Sequence, residues 1–212
     1  GHGTHVAGIA AANGMFKGVA PDATIYAYKA MNNLGQGDIG AVLSSLDRSV
    51  DPNGDGDFSD KAHIISMSIS ATGNPDDPLS QTVDRLVESG VIVVAAAGNT
   101  GTSAQPNIGT PGTARRAITV GATYKKDYPP FGTVDPSPNK DEVAFFSSRG
   151  LIVMPSGELV LKPTLVAPGA KICSAQFANA FEGTNSALNE PCADTEHFAI
   201  SGTSMSTPVV SG

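Results

Sequence analysis

The chain has 212 residues, 40% of them apolar, enough for one sizeable core and too few for two comfortable domains. Charged residues are only 16% while glycine and proline number 24 and 15, which excludes a coiled coil or a disordered tail and fits a compact, loop-rich domain. A net charge of −7, with Lys125-Lys126 the nearest thing to a basic patch, argues against nucleic acid as a partner, and no apolar run is long enough to span a membrane.

In chain order, "HGTHVAGIAAANG" carries the small residues of a tightly packed helix that Gly14 could terminate, and "ATIYAYKA" (23–30) reads as a strand. Asp38 is placed to cap a helix in which Ile39, Val42, Leu43, Leu46 and Val50 recur at helical spacing, before a buried strand at "HIISMSIS" (63–70). Leu79, Val83, Leu86 and Val87 make a second apolar stripe ended by Gly90. The run "VIVVAAAG" (91–98) is then what a strand covered on both faces requires. Two strand-helix-strand units imply a parallel sheet, so the expected architecture is α/β, a single three-layer sandwich with a mostly parallel central sheet. From "AITVGAT" (117–123) onward the chain reads as strands and long loops, with Pro and Gly crowding 129–139 and a turn at "PSG" (155–157). Cys173 and Cys192 could close one loop in an oxidising compartment or stay as two thiols in a reducing one. The chain starts at Gly1 without methionine and stops at Gly212 inside an apolar pattern. The expectation is therefore a partial domain over residues 1–212, truncated at both ends.

Two of the four histidines fall in the first five positions, as "GHGTH". The His2 and His5 spacing is one residue short of the zinc-protease pattern and lacks its glutamate, so a histidine at this helix start reads as a general base or, as is more frequent for such a motif taken alone, as a structural residue. In "AISGTSMSTP" a strand running through Gly202 into a helix puts Ser204 at the helix N-terminus, where free backbone N–H groups face a developing oxyanion. Ser201 falls at the strand end, and Ser206 is turned about 200° from Ser204, so both read as capping or packing hydroxyls. Pro208 fits a helix start, because a missing N–H matters least in the first turn. Asn99 directly follows the buried strand, where its amide is a donor able to reach an oxyanion or simply a turn residue. A lipase-type nucleophile elbow fails twice: Ser206 stands at its last glycine, and no histidine follows Ser204.

"HGTHVAG", "SMSIS" followed by "VVAAAGN", and "GTSMSTP", with "ITVGA", "FSSRG" and "LVAPG" between the last two, resemble the subtilisin-like serine proteases in order and spacing along the whole chain. The resemblance implies a serine endopeptidase acting on polypeptides as an exported or cell-surface monomer, with Ser204 as nucleophile, His2 as general base and Asn99 as oxyanion donor. It further implies that Ser68, Ile69 and Ser70 pair with an extended peptide beside Gly98, with Gly35-Gln36-Gly37 as the opposing edge. Ser70 departs from the glycine common there, and Ser206 and Val209 from a common alanine and histidine. The family's Asp-Ser/Thr-Gly turn, which supplies the triad carboxylate, would lie before Gly1, so these 212 residues alone should be inactive or nearly so. Asp22 and Asp38 could be proposed in its place, but a Pro-Asp turn and a helix cap account for them. The alternative function is an inactive, peptide-binding relative that keeps the groove.

"DPNGDGDFSD" sets Asp51, Asn53 and Asp55 at alternate positions, then Gly56 and Asp57, the opening half of an EF-hand-like calcium loop. Ala62 stands at the twelfth position, so Asp60 would replace the usual glutamate. The expected cofactor is structural calcium, with none for catalysis; the bland reading is an acidic solvated loop.

Overall fold

The computed structural model describes residues 1–32, 34–103, 107–125, 141–154, 156–178, 180–181 and 189–212. Lys126, the 129–139 segment and Pro155 lie outside the described residues. Helix α1 (His2–Ala11) is followed by α2 (Ile39–Val50), a short 3-10 turn (Phe58–Asp60), β1 (Ile64–Met67), α3 (Pro78–Glu88), β2 (Ile92–Ala96) and β3 (Ile118–Thr123). Next come β4 (Gly150–Val153), β5 (Leu159–Lys162), β6 (Leu165–Pro168), β7 (Ile172–Ala175), β8 (Glu190–Pro191), β9 (His197–Ile200) and α4 (Thr203–Ser211).

The central sheet has the order β1-β2-β3-β6, and all three of its pairings are parallel. Helices α2 and α3 cover one face, where Val42, Leu46, Leu79 and Val83 pack on Ile65, Met67, Val93 and Ala95. Helix α4 covers the other, where Val209 and Val210 meet Val94, Val120 and Ala167. The alternation of Val93 to one layer and Val94 to the other explains the unbroken apolar run of β2, each fully buried valine contributing about 1.5–3 kcal/mol. The three-layer α/β expectation therefore holds. Asp38 caps α2 by accepting from Ala41 N at 3.0 Å, and Asp77 caps α3 through Ser80 N at 2.8 Å, with Pro78 in the first turn.

Two expectations need correction. Residues 23–30 are not a strand: the segment makes no ladder with β1, whose outer edge is unpaired, and Ile25 and Tyr26 are exposed. A strand needs a neighbour to accept its backbone hydrogen bonds, and none of the described residues supplies one. Pro208 lies in the interior of α4, not in its first turn, because the helix begins at Thr203. Its missing N–H leaves the carbonyl of Ser204, four residues earlier, without a helical donor.

Outside the sheet, β4 and β5 form an antiparallel hairpin, and β7-β9-β8 a small antiparallel sheet that flanks α1. Cys173 of β7 and Cys192 are joined in a disulfide with Cα atoms 6.1 Å apart, which resolves the choice between bridge and free thiols.

Candidate active site

Helices α1 and α4 pack against each other, Val6 and Ile9 sharing a cluster with Met205 and Val209. They run in the same sense: Gly212, just past the end of α4, packs on the Ala10 carbonyl near the end of α1. His2 and Ser204, at the two helix starts, therefore stand at the same end of the pair. Helix α1 is pinned by its second histidine. His5 is fully buried, its Nε2 donates to Phe198 O at 2.9 Å, and its own carbonyl accepts from Ser174 Oγ at 2.9 Å. Burial lowers the His5 pKa to about 4, so the ring is neutral and holds α1 against β9. His2 is exposed by area yet sits against enough protein that desolvation lowers its pKa below the ordinary histidine value.

The three serines near the last turn are sorted by their partners. Ser201 Oγ accepts from Lys171 N at 2.8 Å, and Ser206 Oγ, fully buried, donates to Ala167 O at 3.0 Å. Ser204 is half-buried and its Oγ donates to Ser68 O at 3.2 Å, the longest of the three. Ser68 Oγ in turn donates to Ser204 O at 2.8 Å, using the carbonyl that Pro208 leaves free. The nucleophile candidate is thus tied to the end of β1 by a reciprocal pair. Gly169 makes the close approach possible. Its carbonyl accepts from Gly202 N at 2.9 Å, and an added Cβ there would overlap the Ser206 hydroxyl.

Asn99 leaves β2 beside this helix start. Its Oδ1 accepts from both Thr203 N (2.9 Å) and Thr203 Oγ1 (3.0 Å), and that hydroxyl accepts from Gly98 N (3.1 Å). Only the amide oxygen can take two donors, so the network fixes Nδ2 as the atom left to face a ligand. Ser148 supports the same loop: its N–H donates to Gly98 O at 2.9 Å and its Oγ accepts from Thr100 N at 3.2 Å. Thr203 and Ser148 were missed as functional residues; the one sequence signal was their place inside "GTSMSTP" and "FSSRG".

Ser68 is buried, Ile69 half-buried against the α2–α3 core, Ser70 exposed and Gly98 buried, all at the carboxyl ends of the adjacent strands β1 and β2. Gly35 and Gly37 are exposed and belong to a turn closed by Asn32, whose side chain accepts from Leu34 N and Gln36 N. Among the described residues no hydrogen bond joins that turn to residues 68–70. Nor does any described carboxylate pair with His2: Asp38 is spent as a cap, and Asp22 is exposed. A histidine–carboxylate pair does exist between His197 Nδ1 and Asp194 Oδ1 at 2.6 Å, but it lies at the far end of β9 from Ser204.

In the acidic loop Asp51 accepts from the N–H groups of Gly54 (2.7 Å), Asp55 (3.1 Å) and Gly56 (3.0 Å), while Asn53, Asp55 and Asp57 each cap the residue two further on. Among the described residues no group of three or more His, Cys, Asp or Glu is gathered as a metal site. One buried oxygen, Asp60 Oδ1, has no hydrogen-bond partner there, and every donor in the loop is oxygen, the ligand chemistry that suits calcium.

The profile of the subtilase family matches residues 1–212. The whole chain is 32% identical to serine protease AprX of Bacillus subtilis, covering 47% of that protein, and 34% identical to subtilisin DY of Bacillus licheniformis, covering 61%. A 126-residue stretch is 42% identical to the minor extracellular protease Vpr of Bacillus subtilis, covering 14% of it. The chain thus spans about half the length of AprX and under two thirds of subtilisin DY.

Proposed function

The chain belongs to the subtilase family, and from that premise we propose that it forms the greater part of the catalytic domain of a serine endopeptidase. Ser204 Oγ attacks the scissile carbonyl while His2 takes its proton, and the oxyanion is held by Asn99 Nδ2 and the backbone N–H groups at the start of α4. Collapse expels the amine, which leaves with the proton from His2, and the acyl-serine is hydrolysed by water deprotonated at the same ring. A carboxylate on a segment outside this chain orients His2. The observation that supports the reading is the double donation of Thr203 to Asn99 Oδ1, which occupies the amide oxygen and leaves Nδ2 as the donor that side chain can offer a substrate.

Extended polypeptides are the substrate class, aligned along Ser68, Ile69 and Ser70 by backbone hydrogen bonds, with the protein acting as a monomer. Calcium held by Asp51, Asn53, Asp55, Asp57 and Asp60 would brace the loop and take no part in the chemistry. Export is supported by the Cys173–Cys192 bridge and by a relative whose name calls it extracellular; no described helix is long and apolar enough to cross a membrane. The test is fluorophosphonate labelling of the full-length protein. Stoichiometric labelling and peptide hydrolysis, both lost in Ser204→Ala, are expected. Labelling that persists in Ser204→Ala overturns the assignment. A second reading, an inactive peptide-binding relative that keeps the groove, predicts peptide binding with neither labelling nor hydrolysis.

A further inference from the structure

Phe181 stands where the helix that carries His2 meets the helix that carries Ser204. Its ring meets the His5 ring edge to face, 6.0 Å between centroids, and stacks on Phe198 at 5.7 Å; Phe198 is also the residue whose carbonyl accepts from His5 Nε2. At the start of α1, a Cβ added at Gly1 would lie 3.4 Å from the Phe181 ring and 2.5 Å from Ala180 Cβ. His2 follows Gly1 and precedes His5 by three residues, so the ring bounds the first turn of α1 on either side of the proposed base. The same ring packs on the cluster of Ile9, Phe198, Ile200 and Met205, and Met205 directly follows Ser204.

Phe181 is held there by its own chain. Gln176 Oε1 accepts from Phe181 N at 3.3 Å, while Gln176 donates from N to Glu196 O and from Nε2 to Thr195 O, both at 2.8 Å. Thr195 and Glu196 belong to the turn between β8 and β9, and the Cys173–Cys192 bridge ties that turn down at its start. Strand β8 adds little of its own, because it is two residues long, both exposed, and Pro191 has no N–H to give β9. The bridge spans β9 and closes a loop that contains Phe181. Neither cysteine is fully buried, which leaves the bridge open to a small dithiol.

Building on the endopeptidase reading, we propose that Phe181 is a positioning residue that fixes His2 relative to Ser204, and that the Cys173–Cys192 bridge keeps it in place, so that turnover falls when the bridge is reduced. A dithiol passes two electrons and two protons to the bridge: the S–S bond breaks, each cysteine is released as a thiol, and the reagent closes to its own disulfide. The 192–196 turn then loses its tether, Gln176 its anchor and the ring its seat on α1. Ser204 and Asn99 stay in place, because Ser68 and Thr203 hold them from outside the loop. A displacement of about 1 Å between base and nucleophile is enough to cost up to about 10²-fold in rate. The enzyme is slow in a reducing compartment and reaches its full rate where the bridge forms.

The experiment uses the full-length protein below the melting temperature of each variant. It reads the rate constant and stoichiometry of fluorophosphonate labelling at Ser204, with kcat and KM for a chromogenic peptide. Phe181→Ala should label to the wild-type stoichiometry but about tenfold more slowly, with kcat down by a like factor and KM within about twofold. Phe181→Leu, which keeps an apolar side chain against Gly1 and His5, should recover most of the rate. Reduction with dithiothreitol, confirmed by alkylation of both Cys173 and Cys192, should slow the wild type by the same factor, reversibly, and slow Phe181→Ala by less than about twofold. The reduction needs no substitution, so it decides the matter even where Phe181→Ala does not fold. A wild-type labelling rate in Phe181→Ala, or a smaller labelled fraction at an unchanged rate per site, overturns the positioning role. A wild-type rate after confirmed reduction, or a full further fall in Phe181→Ala, overturns the part given to the bridge. Each of these results leaves the catalytic assignment standing, whereas failure of wild-type labelling overturns that assignment and this inference together.

Discussion

Thr203→Val in the full-length protein isolates the contact that aims Asn99. Valine keeps the shape of a fully buried side chain and deletes only Oγ1. That oxygen accepts from Gly98 N at 3.1 Å and donates to Asn99 Oδ1 at 3.0 Å, so the variant strands a buried N–H and halves the restraint on the amide. An unsatisfied buried donor costs about 1–3 kcal/mol. At about 2–4 °C per kcal/mol for a domain of this size, the melting temperature should fall by about 2–12 °C. Removing an oxyanion donor outright costs about 10²–10³ in turnover, a figure measured on a relative in this family and not inferred from this chain. Because Thr203 N still holds Asn99 at 2.9 Å, the loss here should be smaller, about tenfold in kcat with KM unchanged. Thr203→Ser restores the oxygen and should restore both quantities. The assay is steady-state hydrolysis of a chromogenic peptide beside a thermal melt. A kcat within twofold of wild type in a variant whose melting temperature has dropped would show that Thr203 serves the fold alone.

Two further outcomes are expected. His5 has a folded pKa of about 4 against an ordinary 6.5, so between those values the unfolded chain binds more protons than the native one. Stability should therefore decline as pH falls from 6.5 toward 4, by up to about 3 kcal/mol, and be insensitive to His5 above that window. Urea midpoints across the window should show a flatter profile in His5→Gln, which keeps a donor for Phe198 O; an equal slope refutes the assignment. Calcium at about 100 times its Kd should stabilise the full-length protein by about 2.7 kcal/mol, and Asp51→Asn should abolish the gain. A thermal transition unchanged in excess chelator removes calcium from the account.

The helices and the inner strands were legible because their signals are local. Spacing gave α2 and α3, Asp38 gave a cap, and the unbroken apolar run gave β2 its two covered faces. The 23–30 segment has equally good strand residues, but a strand is defined by what lies next to it, and no sequence window contains its neighbour. Pro208 was misplaced by half a helix because its hydrogen-bonding consequence falls on Ser204 O, whose replacement donor, Ser68, is 136 residues away. The same distance separates what could be read of the site from what could not. Helix position singled out Ser204 from Ser201 and Ser206, whereas the aim of Asn99 depends on Thr203, 104 residues distant, and was invisible before the fold.

The reciprocal bonds between Ser68 and Ser204 also bear on timing. The two residues are 136 positions apart, and ribosomes add about 5–20 residues per second, so Ser68 is made about 7–27 s before its partner exists. Helix α4 supplies both the nucleophile candidate and the cover for one face of the sheet, and it is made after all four strands that it covers. During those seconds the proposed base, His2, and the proposed oxyanion donor, Asn99, exist without the proposed nucleophile.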